Sequence, residues 1–183
     1  MSAPRHIVDS LESVLSIYFS KCRLKERAAF ILCDELVEVT CRDRVKQTVP
    51  RATAAQLNFP DLLAHPTVGL NVATPGLGRS ALEYHRARND IQHNNPAATV
   101  DGQYCADAIV DAAEVIELCF PGTKTAVPDK LKVTLRVMRL LSHHGDARQQ
   151  TQFGDAMQNP AWRGNRERAR QDEVIVAPGP RAN

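Results

Sequence analysis

From Ala28 to Val39 the chain reads AAFILCDELVEV, apolar on nearly every side of a 3.6-residue period, and no Pro or Gly interrupts Lys25 to Gln47. A segment of this length that must bury most of its circumference predicts a central helix packed on several neighbours, which the rest of the chain has to supply. Ile7, Leu11, Val14, Leu15, Tyr18 and Phe19 recur every three to four residues and predict an amphipathic helix over about 5–22. Pro50, Pro60, Pro66 and Pro75, with Gly69, Gly76 and Gly78, then punctuate residues 48–79 too often for a long helix. We expect a connecting excursion there, with one short helix at Pro60–His65.

Helix resumes near Gly78 with an apolar seam of Leu77, Tyr84, Ala87 and Ile91, and Asn94-Asn95-Pro96 stops it just after His93. A further helix starts near Thr99–Gly102, carries Cys105, Ile109, Ala112, Ala113, Ile116 and Phe120, and ends at Pro121-Gly122. With no convincing strand pattern, the fold class is all-α: a bundle of four helices over 1–122. Leu131, Leu135, Met138 and Leu141 add an amphipathic helix at Asp129–Ser142, within 123–145. Residues 146–183, rich in Gln, Asn, Arg, Gly and Pro, read as a flexible basic tail.

Composition narrows the functional classes. No apolar run approaches the roughly 18 residues of a membrane span, which excludes a transmembrane protein. Asp9 and Glu12 interrupt the stretch where a secretory leader would need unbroken apolar residues, so a cytoplasmic location is expected. The five cysteines (Cys22, Cys33, Cys41, Cys105, Cys119) form an odd count without CxxC spacing, as reduced core thiols would, rather than a disulfide scaffold or a zinc site. Residues 121–183 hold 11 Lys/Arg against 6 Asp/Glu, so the basic character belongs to the C-terminal third.

The segment with most chemistry is Tyr84-His85-Arg86-Ala87-Arg88-Asn89-Asp90-Ile91-Gln92-His93. On an ideal helix, with His85 at zero, Arg88 falls near −60°, Gln92 near −20°, Asn89 near +40° and His93 near +80°. They form one polar stripe opposite the apolar seam. A histidine that exchanges protons near neutral pH, a guanidinium that holds two phosphoryl oxygens and an amide that orients either suffice for metal-free phosphodiester cleavage. A solvated helix face is the alternative reading of the same spacing.

Arg88-Asn89-Asp90-Ile91-Gln92-His93 resembles the R-[polar]-xxx-H signature of the HEPN superfamily, a four-helix-bundle group rich in RNA-cleaving toxins and phage-defence proteins. The context resembles it too: the motif on the third major helix, Asn after Arg, helix-stopping residues after His, and an apolar closing helix. The AFILCDELVEV segment is similar to the family's second helix, and the likeness covers about residues 5–120. The resemblance implies a homodimer with motif helices facing across a two-fold axis and a composite endoribonuclease site that needs no metal or other cofactor. In it, His93 activates the ribose 2′-hydroxyl or its leaving partner, Arg88 stabilises charge on the phosphate and Asn89 positions the scissile group.

Arg88 and His93 lie about 140° apart on an ideal helix, so gripping one phosphate requires a distorted helix end or a second protomer. Members regulated by a partner nucleotidyltransferase commonly carry Tyr two residues after the His; here Asn95 stands there, which excludes modification at this position. An antitoxin or other regulatory protein is a further expected partner. His85 either joins the site with Gln92 or caps the polar stripe. Asp34, Glu35 and Glu38 either neutralise a buried Arg88 or are surface charges, the second being the commoner case.

Weaker matches complete the reading. Gly76-Leu77-Gly78-Arg79-Ser80 lacks the spacing of a phosphate-binding loop and reads as a turn, and His143-His144 reads as an exposed helix-terminal pair. Arg163, Arg166, Arg168 and Arg170 around Trp162 either contact RNA or belong to a solvated tail. A non-catalytic helical dimer that binds a partner or RNA is the competing function.

Overall fold

The computed structural model describes residues 1–70, 74–95 and 97–144, the last five by their backbone alone. The tail, with Arg163, Arg166, Arg168 and Arg170, lies outside the described residues, as do Pro96 and the side chains of His143, His144 and Leu141. Every regular element among the described residues is helical. In chain order these are α1 (Arg5–Tyr18), α2 (Lys25–Val45), α3 (Arg51–Gln56), α4 (Phe59–Ala64), α5 (Pro75–Asn89), a π-helical turn (Asp90–Asn94), α6 (Gly102–Cys119), α7 (Thr123–Ala126) and α8 (Asp129–His144). No described helix is long and apolar enough to cross a membrane.

The pair α2 and α6 forms the centre, with α1 and α5 against α2 and α8 against α6. The apolar circumference of α2 has this destination: Phe30, Cys33, Leu36, Val37 and Cys41 are buried, and so are Asp34 and Thr40. Helix α6 buries Cys105, Ile109, Ala112, Ala113 and Ile116, and Asp101 caps its start by accepting from Gln103 N at 2.9 Å and Tyr104 N at 3.0 Å. Leu131, Leu135 and Met138 of α8 enter the same core. Four of the five cysteines are buried free thiols and Cys22 is exposed. Burial raises the Cys33 and Cys105 thiols well above their ordinary range, which makes them packing groups rather than nucleophiles.

Three boundaries differ from the sequence expectation. Helix α1 stops at Tyr18 rather than about residue 22, and Phe19 is exposed, its ring set edge-on to Tyr18 at 5.2 Å. The Tyr18 hydroxyl instead donates to the Gly102 carbonyl at 3.1 Å, tying the end of α1 to the start of α6. The excursion holds two short helices rather than one, the second starting at Phe59 under an Asn58 side-chain cap that accepts from Asp61 N at 2.9 Å. Gly76-Leu77-Gly78 is not a turn: α5 begins at Pro75, whose fixed φ suits a first helical turn, and Leu77 and Gly78 are buried.

Gly122 closes the molecule on its N-terminal residues. Its N–H donates to the Met1 carbonyl at 2.9 Å, and a Cβ there would lie 2.9 Å from the Met1 carbonyl carbon. Any larger residue would force these strands of backbone apart.

Candidate functional site

Helix α5 runs against α2 with its seam inward, burying Leu77, Ala81 and Ile91 and half-burying Tyr84 and Ala87. This fixes the rotation of α5 and divides the predicted polar stripe. His85, Arg88 and Asn89 are half-buried along α2, whereas Gln92 and His93 are exposed. The stripe is thus not a uniformly solvated face.

The reason is Asp34, which is buried on the central helix and gathers the motif residues. Its Oδ2 lies 3.0 Å from His85 Nδ1 and 3.6 Å from Arg88 Nε, the first a hydrogen bond and the second an ion-pair contact. Arg88 Nη1 donates to Asn89 Oδ1 at 2.9 Å. Arg88 Nε is enclosed without a hydrogen bond, and among the described residues Nη2 takes part in neither of the contacts that Arg88 makes. The guanidinium is thus contacted at Nε by Asp34 and at Nη1 by Asn89, which leaves Nη2 as the nitrogen available to a further anionic oxygen. Of the three carboxylates that could have neutralised Arg88, only Asp34 does so: Glu35 is exposed and Glu38 pairs with Arg42 at 2.7 Å.

His85 is fixed on a second side by α4, where Phe59 stacks on its ring at 4.4 Å and 22°. With Nδ1 donating to Asp34, the lone pair falls on Nε2, which has no protein partner among the described residues. Burial raises the Asp34 carboxyl above its ordinary 3.8, and the pull of His85 and Arg88 offsets this only in part.

Beyond Asn89 the α-helical ladder changes. Asn95 N donates to the Asp90 carbonyl at 2.9 Å, an i to i+5 bond, and Arg27 of α2 reaches the Ile91 carbonyl at 3.5 Å. Residues five apart, about 140° apart on an α-helix, come closer to one face in such a turn, and Arg88 and His93 are five apart. His93 itself is exposed and joins neither Asp34 nor Arg88 within the chain.

A narrow crevice beside Asp34 is lined by Phe30, Cys33, Ala81, Tyr84 and Asp111, and the Tyr84 hydroxyl donates to Asp111 Oδ2 at 3.2 Å. Its volume of ≈ 10 Å³ suits about one water molecule. Among the described residues no three His, Cys, Asp or Glu side chains gather as metal ligands would. Phe59 and Arg27 were not identifiable from the sequence, since one looks like core and the other like a surface charge.

Compared with known protein families, characterised proteins and solved structures, the chain finds no match.

Proposed function

We propose that the chain is a HEPN-type, metal-independent endoribonuclease of the cytoplasm, acting as a toxin or phage-defence effector. The observation that carries this reading is the posture of Arg88. Asp34 and Asn89 hold its guanidinium at Nε and Nη1, which leaves Nη2 for a further oxygen, and a π-helical turn after Asn89 narrows the wide angle that an α-helix would put between Arg88 and His93. In the proposed reaction Nη2 holds a phosphate oxygen and Asn89 limits the rotation of the guanidinium. His93 transfers a proton at the 2′-hydroxyl or at the leaving 5′-oxygen.

A two-fold dimer with adjacent motif helices completes the proposal, since one protomer offers a single exposed His93 beside a single Arg88. The α1, α2, α5 and α6 set is then the four-helix bundle of that superfamily, and α8 is the addition. Arg163, Arg166, Arg168 and Arg170 would add salt-dependent contacts to RNA, and a regulatory partner or antitoxin would restrain the activity.

The experiment is incubation of purified protein with total RNA in excess EDTA. Cleavage that leaves cyclic or 3′-phosphate and 5′-hydroxyl ends supports the proposal, because the 2′-hydroxyl is the nucleophile such a site can activate without a metal. Intact RNA, or efficient cutting of a substrate with a 2′-deoxy sugar at the cleaved position, overturns it.

The second reading is a non-catalytic dimer that binds RNA or a protein. It is favoured by the absence of any hydrogen bond between His93 and Arg88, both described residues, which leaves Asp34 and Arg88 as a structural ion pair. Under that reading wild type and His93→Ala are equally harmless when expressed, and neither cuts RNA.

A further inference from the structure

Cleavage by 2′-hydroxyl attack needs two proton transfers, one away from the nucleophile and one to the leaving oxygen, and a single histidine cannot occupy both places at once. His85 has the construction of a proton-transfer residue. A buried carboxylate holds Nδ1 at 3.0 Å, an aromatic ring stacked at 4.4 Å fixes the imidazole plane, and Nε2 is left without a partner among the described residues. A histidine that merely filled space would not need its tautomer set by a carboxylate drawn into the core of the neighbouring helix, 51 positions away in sequence. His85 also precedes Arg88 by three residues, one helical turn, so both approach one anion from the same side.

We infer that His85, oriented by Asp34, is the general base of the site and that His93 supplies the acid. This rests on the ribonuclease reading. His85 Nε2 takes the 2′-hydroxyl proton as the 2′-oxygen bonds to phosphorus, with Arg88 Nη2 on a phosphate oxygen. The bond from phosphorus to the 5′-oxygen then breaks, and that oxygen takes a proton from His93. The products are a 2′,3′-cyclic phosphate and a 5′-hydroxyl, and the two histidines exchange protonation states. The histidines flank Arg88 and Asn89, about 12 Å apart along the helix axis at 1.5 Å per residue; because Asp34 and Phe59 hold the His85 ring, it is the exposed His93 that has to close on the phosphodiester.

The test compares wild type, His85→Asn and His85→Ala on an RNA that the wild type cuts. Asparagine keeps a donor for Asp34 but cannot transfer a proton, so His85→Asn should bind RNA within about twofold of wild type yet turn over about 10²–10⁴-fold more slowly. His85→Ala should be equally slow and should recover part of its rate in added imidazole, which can occupy the space beside Phe59. Full turnover in His85→Asn, or a His85→Ala loss that imidazole leaves unchanged, would overturn the assignment while the ribonuclease reading stands. A wild-type protein that cuts no RNA at all would overturn both.

Discussion

His85 Nδ1 lies 3.0 Å from Asp34 Oδ2, joining the motif helix to α2, one of the two helices at the centre of the fold, at a buried position. A carboxylate so placed is costly to ionise and retains charge only through its partners. Its presence under His85 and Arg88 is therefore the strongest physical indication that these side chains are held for a purpose. Four expected outcomes follow from the geometry.

Asp34→Asn should separate stability from function. Because burial raises the Asp34 carboxyl in the folded state, the native protein binds this proton more tightly than the unfolded chain. Its stability relative to Asn is therefore greatest at pH below the ordinary value of 3.8 and declines as pH rises through the raised folded value. Thermal unfolding from acid to neutral pH should show Asn equal to or more stable than wild type at pH 7, with the difference vanishing in acid. RNA cleavage should nevertheless fall, since neither the His85 tautomer nor Arg88 is then held by a carboxylate. An Asn protein markedly less stable at pH 7 would mean that the ion pair outweighs burial.

Arg88→Lys keeps the charge but cannot meet Asp34, Asn89 and an external oxygen together, because an ammonium lacks the planar fork. Lys keeps a cation beside the buried Asp34, so no charge is left unpaired and the stability loss should stay at about 1–2 kcal/mol. Turnover should drop about 10²-fold or more if Nη2 stabilises the phosphate. Denaturant titration and cleavage kinetics on the same preparation decide this, and near-wild-type turnover would remove Arg88 from the site.

His93→Ala is the converse case. His93 is exposed on the π-helical turn, so its removal should change stability by less than about 0.5 kcal/mol. Turnover should fall by about 10²–10⁴ with RNA affinity kept. Filter binding beside single-turnover cleavage measures both, and an unchanged rate would end the role proposed for His93.

Met138→Ala tests whether α8 belongs to the core. Met138 is fully buried on the side of α8 that packs on α6, so truncation should cost about 2–5 kcal/mol. On the same helix Val133→Ala, at a half-exposed position, should cost less than about 0.5 kcal/mol. Equal midpoints for both variants in urea would show that α8 packs only loosely.

The helices themselves were legible because each announces its buried face by spacing. Ile7, Leu11 and Leu15 mark α1, Leu77 and Ala81 mark the seam of α5, and Leu131, Leu135 and Met138 mark α8, each by a pattern contained within about two turns of chain. The polar motif was equally visible, since Arg88, Asn89 and His93 are close in sequence. The division of that motif was not. Periodicity says which side of a helix is apolar, but the rotation and register of two packed helices set which boundary residues meet, and these come from side chains far apart in sequence. Asp34 reads as one more acidic residue until α5 lies against α2, and Phe59 as one more apolar residue until α4 carries it to the His85 ring. The π-helical turn likewise has no local signature in Asp-Ile-Gln-His-Asn. By itself, then, the sequence determined that the described chain is helical and which face of each helix is hidden. Only the tertiary structure decided that Asp34, His85 and Arg88 share one place, because their meeting depends on how whole helices pack and not on any local run of residues.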